Sequence, residues 1–262
     1  DQRKLYIGNG TLADGAPAIG NTEVLTEYSD ILNLSTSYTY KGQHAGYTVQ
    51  TGPTSGDAVT QTLQAKLDNF ASVLDFGATG DGVTDDTDAI NRALFQLFCV
   101  QTNTTIRRSL YFPGGTYRIT NSINVPPFAK LWGDGPDSAI FEMDVSSDSS
   151  YGSYVMRTAD SLQQTGVNIG VSFTSLEPID LVLIDRAEGV SISNCNFKGS
   201  LSSAPSNASA DIAGVRFDST AANTCKQIEI NNCKFSYMSY AVNTDENIQG
   251  VTIQNSQFNT IY

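Results

Sequence analysis

The sequence has little of what usually marks a reactive centre. It holds a single histidine, His44, in 262 residues. Its four cysteines (Cys99, Cys195, Cys225 and Cys233) have no metal-ligand spacing and lie far from His44, which argues against zinc. Four cysteines in a chain this long make no disulfide framework either, so reduced, buried thiols are expected. No residue cluster points to another metal or a cofactor. Positive charge is scarce: 15 Lys and Arg stand against 27 Asp and Glu, a net charge of −12. A nucleic-acid phosphate surface is thereby a poor partner, while a neutral or cationic glycan is compatible. No apolar run approaches the roughly eighteen residues of a membrane span, so no membrane insertion is expected. The first residues, "DQRKLYIGNG", hold no initiator Met and no signal-like apolar stretch, so the chain reads as part of something longer.

What is present is a globular composition, 40% apolar and 16% charged, rich in Gly, Ser, Thr and Asn. That mixture suits many short strands joined by tight turns. Residues 1–55 read as a small module of short strands, with "KLYIGNG" and "TEVLTEYS" separated by the turn-forming "TLADGAPAIGN". It is too small for a core of its own. Residues 56–71 change period. Val59, Leu63, Leu67 and Phe70 recur every three to four residues, with Asp57 as N-cap, which predicts a short stem helix. A seam one residue wide suits a helix packed among others; a single helix lying on its own domain is the plainer alternative.

Aspartates then cluster between Asp75 and Asp88 in "VLDFGATGDGVTDDTDAINRAL". The glycines Gly77, Gly80 and Gly82 predict loop, and Ile90, Ala93, Leu94, Leu97 and Phe98 predict a helix with a broad apolar face. Asp85, Asp86 and Asp88 stand at its entrance, where carboxylates accept bonds from unpaired N–H groups and complement the helix dipole. An EF-hand spacing is absent. The cluster therefore reads as a helix start.

Beyond Cys99 the period is two, in runs such as "SLYFPGGTYRI" and "AKLWGDG". The last third repeats itself. "VSISNCNF" (190–197), "IEINNCKF" (228–235) and "VTIQNSQF" (251–258) share [VI]-x-I-x-N-x-x-F. A polar insert over 199–211 lengthens the first interval. The remaining period fits one rung of a three-stranded solenoid. Stacked rungs would align Ile192, Ile230 and Ile253 inward. Asn194, Asn232 and Asn255 would form an amide ladder at a bend, and Cys195, Cys233 and Ser256 another column.

The run "SVLDFGATGDGVTDDTDAINRAL", followed by "LYFPGGTYRI" and "LWGDG", resembles the amino-terminal part of pectate-lyase-like right-handed β-helix proteins. The resemblance covers roughly residues 72–262. It implies a mainly β fold, a right-handed parallel β-helix with an N-terminal capping helix over Thr87–Phe98, and entry into the first rungs at Tyr111–Ile119. "DQRKLYIGNG" and the helical "LQAKLDNFASVLDFGA" are similar to segments of bacteriophage tailspike and tail-fibre proteins. That likeness implies a virion protein, made in the host cytoplasm. It would be a homotrimer, held to phage tail or baseplate proteins through residues 1–55 and directed at host surface polysaccharide. Residues 56–71 would be the stem and 72–262 the β-helix cap and first rungs. A complete polysaccharide-degrading enzyme, hydrolase or lyase, is the alternative, and any depolymerase rungs of a longer tailspike would follow Tyr262.

Glycoside hydrolysis needs two carboxylates some 5–10 Å apart. "NTDE" (243–246) resembles the N-T-D of polygalacturonase-type β-helices, which makes Asp245, with Glu246 beside it, the catalytic candidate. The later Asp-Asp, Gly-His-Gly and Arg-x-Lys elements of those enzymes are missing. Asp211, Asp218, Glu229 and His44 have no better claim.

Overall fold

Alternation of inward and outward side chains, carried from strand to strand in constant register, organises most of this chain. The computed structural model describes residues 5–7, 22–24, 37–39, 52–54, 59–67, 69–99, 109–144, 154–158, 167–204, 211–219, 224–244 and 247–262. The chain divides into two units, Asp1–Asp68 and Asn69–Tyr262.

In the first unit β1 (Leu5–Ile7) pairs antiparallel with β2 (Thr22–Val24), and β3 (Ser37–Thr39) with β4 (Thr60–Thr62). Helix α1 runs only over Leu63–Leu67. This corrects the expected stem helix over 56–71. The β-branched Thr60 and Thr62 take the strand, and the Thr62 hydroxyl accepts the Ala65 N–H at 3.0 Å, which starts the helix there. Phe70 belongs to the next strand, β5 (Phe70–Ser72), in the second unit. Asp57 and His44 lie outside the described residues.

The second unit opens with β5 and a 3-10 turn, Val73–Phe76, closed by a capping box between Ser72 and Asp75 and by Gly77 in the left-handed region. Strand β6 (Asp81–Asp85) follows, where loop was expected. Gly80 and Gly82 at positive φ give it a bulge, so it pairs with a later strand despite its glycines. Helix α2 (Thr87–Leu94) continues as a π-helical turn, Phe95–Cys99. Ile90, Ala93, Leu94 and Phe98 are buried in the same apolar cluster as the strands that follow. Cys99 ends the turn off that face and is exposed, which corrects its expected burial.

Each complete rung then contributes one strand to each of three sheets, and the last adds β22 and β23 to two of them. In chain order these are β7 (Ser109–Phe112), β8 (Gly115–Ile119) and β9 (Ile123–Val125), then β10 (Lys130–Gly133), β11 (Ala139–Met143) and β12 (Tyr154–Thr158). Next come β13 (Asn168–Gly170), β14 (Ser172–Ser175) and β15 (Asp180–Asp185), then β16 (Glu188–Ser193), β17 (Asn196–Lys198) and β18 (Ala213–Asp218). The last are β19 (Cys225–Asn231), β20 (Lys234–Met238), β21 (Tyr240–Thr244), β22 (Ile248–Gln254) and β23 (Gln257–Ile261). Sheet A is β22-β19-β16-β13-β10-β7-β5, sheet B is β23-β20-β17-β14-β11-β8-β6, and sheet C is β21-β18-β15-β12-β9. All pairings within them are parallel, a right-handed parallel β-helix.

Inward columns fill it. Sheet A stacks Leu110, Leu131, Ile169, Ile192, Ile230 and Ile253. Sheet B stacks Tyr117, Phe141, Phe173, Phe197, Phe235 and Phe258. Each fully buried aliphatic side chain contributes about 1.5–3 kcal/mol. The last three phenyl rings lie nearly parallel, with centroids 4.7 and 5.5 Å apart. Ile253 and Phe258 keep the register but are covered on one side only, and are 42% and 52% exposed.

The turn asparagines Asn194, Asn232 and Asn255 all adopt positive φ (58°, 53° and 53°). Asn232 Nδ2 donates to Asn194 Oδ1 at 2.8 Å, a ladder step as expected. The next step slips, because Asn255 Nδ2 donates to Asn231 instead. Cys195, Cys225 and Cys233 are buried thiols. Burial, then the neighbouring Cys233, pushes the Cys195 thiol well above its ordinary value, which keeps it protonated and unreactive.

Candidate functional site

Two outward faces carry side chains with chemistry. On sheet C, Arg157, Leu183, Arg216 and Asn243 form one column, and Asp185 and Asp218 are partners on adjacent strands. Asp185 is nearly buried, and both of its oxygens are engaged, by Arg157 Nη2 at 2.9 Å and Arg186 Nε at 2.8 Å. Asp180 is held by Arg216 and by the Ala213 N–H. These carboxylates anchor the sheet through the arginines. Asn243 and Thr244 end β21, while Asp245 and Glu246, the catalytic candidates, lie outside the described residues. Of the other acids, Glu229 accepts from Gln254 at 3.0 Å and Asp211 from the Tyr240 hydroxyl at 3.4 Å.

The aspartate cluster near α2 is consumed by the fold. Asp86, wholly buried, accepts the Thr79 and Gly80 N–H groups at 2.7 and 3.0 Å, so it ties the preceding loop and not the helix it precedes. Asp85 is the residue that accepts the Thr87 N–H, at 3.0 Å, and it also takes the Thr120 hydroxyl at 2.6 Å. Burial raises its pKa, but the hydroxyls of Thr120 and Thr87, the Thr87 N–H and the charge of Arg118 outweigh it, and the net direction is down.

The open face is sheet A. Its outward positions stack Tyr111, Trp132 and Gly170 on successive rungs, with Ser109, Lys130 and Asn168 in the neighbouring column. The Tyr111 and Trp132 rings lie 4.4 Å apart at 34°, a tilted stack. Tyr111 donates to Asp134 Oδ1 at 2.6 Å, and the Gly114 N–H to Asp134 Oδ2 at 3.1 Å, which fixes the platform at one edge. The Asp134 bond pushes the Tyr111 hydroxyl up, so it remains a donor. On the other side of Trp132 the next rung has no side chain. A Cβ built at Gly170 would meet only backbone atoms, the nearest being Leu131 O at 3.3 Å. The gap is a groove of about 630 Å³ floored by Trp132 and Gly170 and bounded by Lys130, Asp134, Asn168 and Asn194. The sequence reading missed it. The signal lay in "LYF" and "LWG", where an aromatic follows an inward leucine at the same place on consecutive rungs.

The sequence profile of the rhamnogalacturonase A/epimerase, pectate lyase-like family matches residues 70–262. The chain belongs to this family. A glucan 1,3-beta-glucosidase of Cochliobolus carbonum is 32% identical over 153 residues, 56% of this chain and 18% of that protein. The pre-neck appendage protein of Bacillus phage B103 is 31% identical over 84 residues, 32% of this chain and 9% of that protein. The chain thus spans less than a fifth of either curated relative. Among solved structures, ORF18 of Geobacillus virus E2 aligns over 78% of this chain and 46% of its own, with a TM-score of 0.51 at 18% identity, which is likeness of fold. The β-helix expected from the sequence stands, with phage proteins among its relatives. Among the described residues no helix is long and apolar enough to cross a membrane.

Proposed function

We propose that this chain is part of a phage tail protein, a tailspike or tail fibre, whose β-helix engages polysaccharide on the host surface. The observation that carries the reading is the open aromatic groove on sheet A. It has a ring platform to lie under a sugar and amides at its rim to bond hydroxyls, on a scaffold rigid enough to hold both. The phage appendage relative and the phage-like opening "DQRKLYIG" support the virion setting. In this reading residues 1–55 attach to the tail or baseplate, the protein is a homotrimer, and residues from Asn69 onward face the host. A depolymerase is the second reading, favoured by the family match and by the glucosidase relative. Asp245 and Glu246 are its residues. The test is to incubate the protein with purified capsular and lipopolysaccharide fractions and measure both retention and new reducing ends. Retention without new ends supports the binding role. New ends that vanish in Asp245→Asn support the enzyme, and neither signal with any fraction sinks both.

A further inference from the structure

The groove on sheet A carries a statement about its ligand, resting on the polysaccharide reading above. We infer that it is a subsite for an uncharged pyranoside, lying flat over the Trp132 indole in the space left by Gly170.

The class follows from what lines the groove. A pyranose ring has an apolar C–H face and a polar rim, and the groove has the same two parts. Trp132 provides the flat apolar floor, braced from behind by Tyr111. Asn168 and Asn194 provide amides at the edge, which both donate and accept, as hydroxyls require. Charge is nearly balanced. Lys130 is the cation of the groove and Asp134 its carboxylate, and Asp134 is already bonded to Tyr111 and to the Gly114 N–H. A uronate or sialate polymer would meet a single lysine locally and a chain of net charge −12 overall.

Gly170 is the specificity-determining position. An aromatic there would extend the Tyr111–Trp132 stack and close the groove, whereas glycine leaves one ring-sized gap beside the indole.

Trp132 is the sole tryptophan of the chain, so its emission reports this site alone. The experiment titrates the whole chain with neutral oligosaccharides (β-1,3-glucan, α-1,4-glucan and mannan) and with acidic ones (oligogalacturonate and hyaluronate). It follows tryptophan emission and, in parallel, calorimetry. Gly170→Gln fills the groove from an outward position. Gly170→Ala controls for the 3.3 Å approach to Leu131 O. The expected result is an emission change with a neutral member, little affected by salt, weakened about tenfold or more in Gly170→Gln and nearly intact in Gly170→Ala. Calorimetric binding with unchanged emission and full affinity in Gly170→Gln would overturn the subsite and leave the polysaccharide reading standing. Preference for an acidic member with steep salt dependence would overturn the uncharged class. Silence in both readouts with every oligosaccharide overturns the subsite, and the retention assay on surface polysaccharide then decides the broader reading by itself.

Discussion

Asp86 is wholly buried, and its carboxylate is the partner of two backbone N–H groups, those of Thr79 and Gly80. Removing an acceptor from buried donors costs more than the bond itself contributes, because the donors stay desolvated. Asp86→Ala should therefore lower stability by about 2–3 kcal/mol in urea unfolding, and Asp86→Asn by less, with polysaccharide binding per folded molecule unchanged. Wild-type stability with lost binding would mean a functional carboxylate. The acid dependence follows from its neighbours. The Thr84 and Val83 N–H groups and the Thr84 hydroxyl hold Asp81 down to about 2 from an ordinary 3.8, and Asp85 is also lowered. A carboxylate with a depressed folded pKa stabilises fully above its unfolded value, and that contribution is lost as pH falls through the folded one. The thermal midpoint should thus fall between pH 3.8 and 2, and the fall should be shallower in Asp81→Asn. A slope unchanged by that substitution would remove Asp81 from the explanation. That these aspartates serve the fold was legible in their placement before an apolar helical face. Which N–H each would take was not, because Asp86 turns back to a loop seven residues earlier, set by tertiary pairing.

At the scale of the element, the asparagine turns hold adjacent rungs at one spacing. Asn232 combines a left-handed backbone with an amide step to Asn194. The two contributions separate by substitution. Asn232→Gly relaxes the backbone demand and loses only the hydrogen bond, about 1 kcal/mol. Asn232→Ala loses the bond and places a Cβ in the left-handed region, a further 1–2 kcal/mol or so. Chemical denaturation should rank wild type above Gly above Ala; equal losses would show that strain plays no part. The same turns explain what the sequence disclosed. Where Asn closes the bend between sheets A and B, the repeat is readable as [VI]-x-I-x-N-x-x-F. In earlier rungs the bend is Pro113-Gly114, the longer Asp134–Ser138, or the single residue Val171, so no shared spacing survives and those rungs are hidden. Strand β6 was hidden for a related reason: its glycines accommodate a bulge that only the pairing with β8 reveals. The sheet A groove depends on a missing side chain at Gly170, and a glycine in a sequence does not announce what stands beside it.

For the whole molecule, the open question is what covers the first unit. Helix α1 is five residues long, too short to be stable by itself. Leu63 and Leu67 lie at i and i+4 on one face of it, and Leu67 and the preceding Val59 are 53% and 48% exposed. An exposed leucine and valine at a marginal helix are what the proposed assembly would cover with other copies of the chain. A three-fold arrangement buries three such faces against one another around an axis, the assembly proposed for this protein. Its cost of disruption is concentrated there, because a charge forced into the seam loses several kcal/mol of solvation. The double substitution Leu63→Asp, Leu67→Asp should therefore dissociate or loosen the trimer in light scattering. The β-helix from Asn69 onward should keep its own unfolding transition, since each rung is stabilised chiefly by its neighbours. A monomeric wild type would end the trimer model. A trimer indifferent to both changes would move the interface from α1 to the flanks of the β-helix, where Leu176 is 61% exposed.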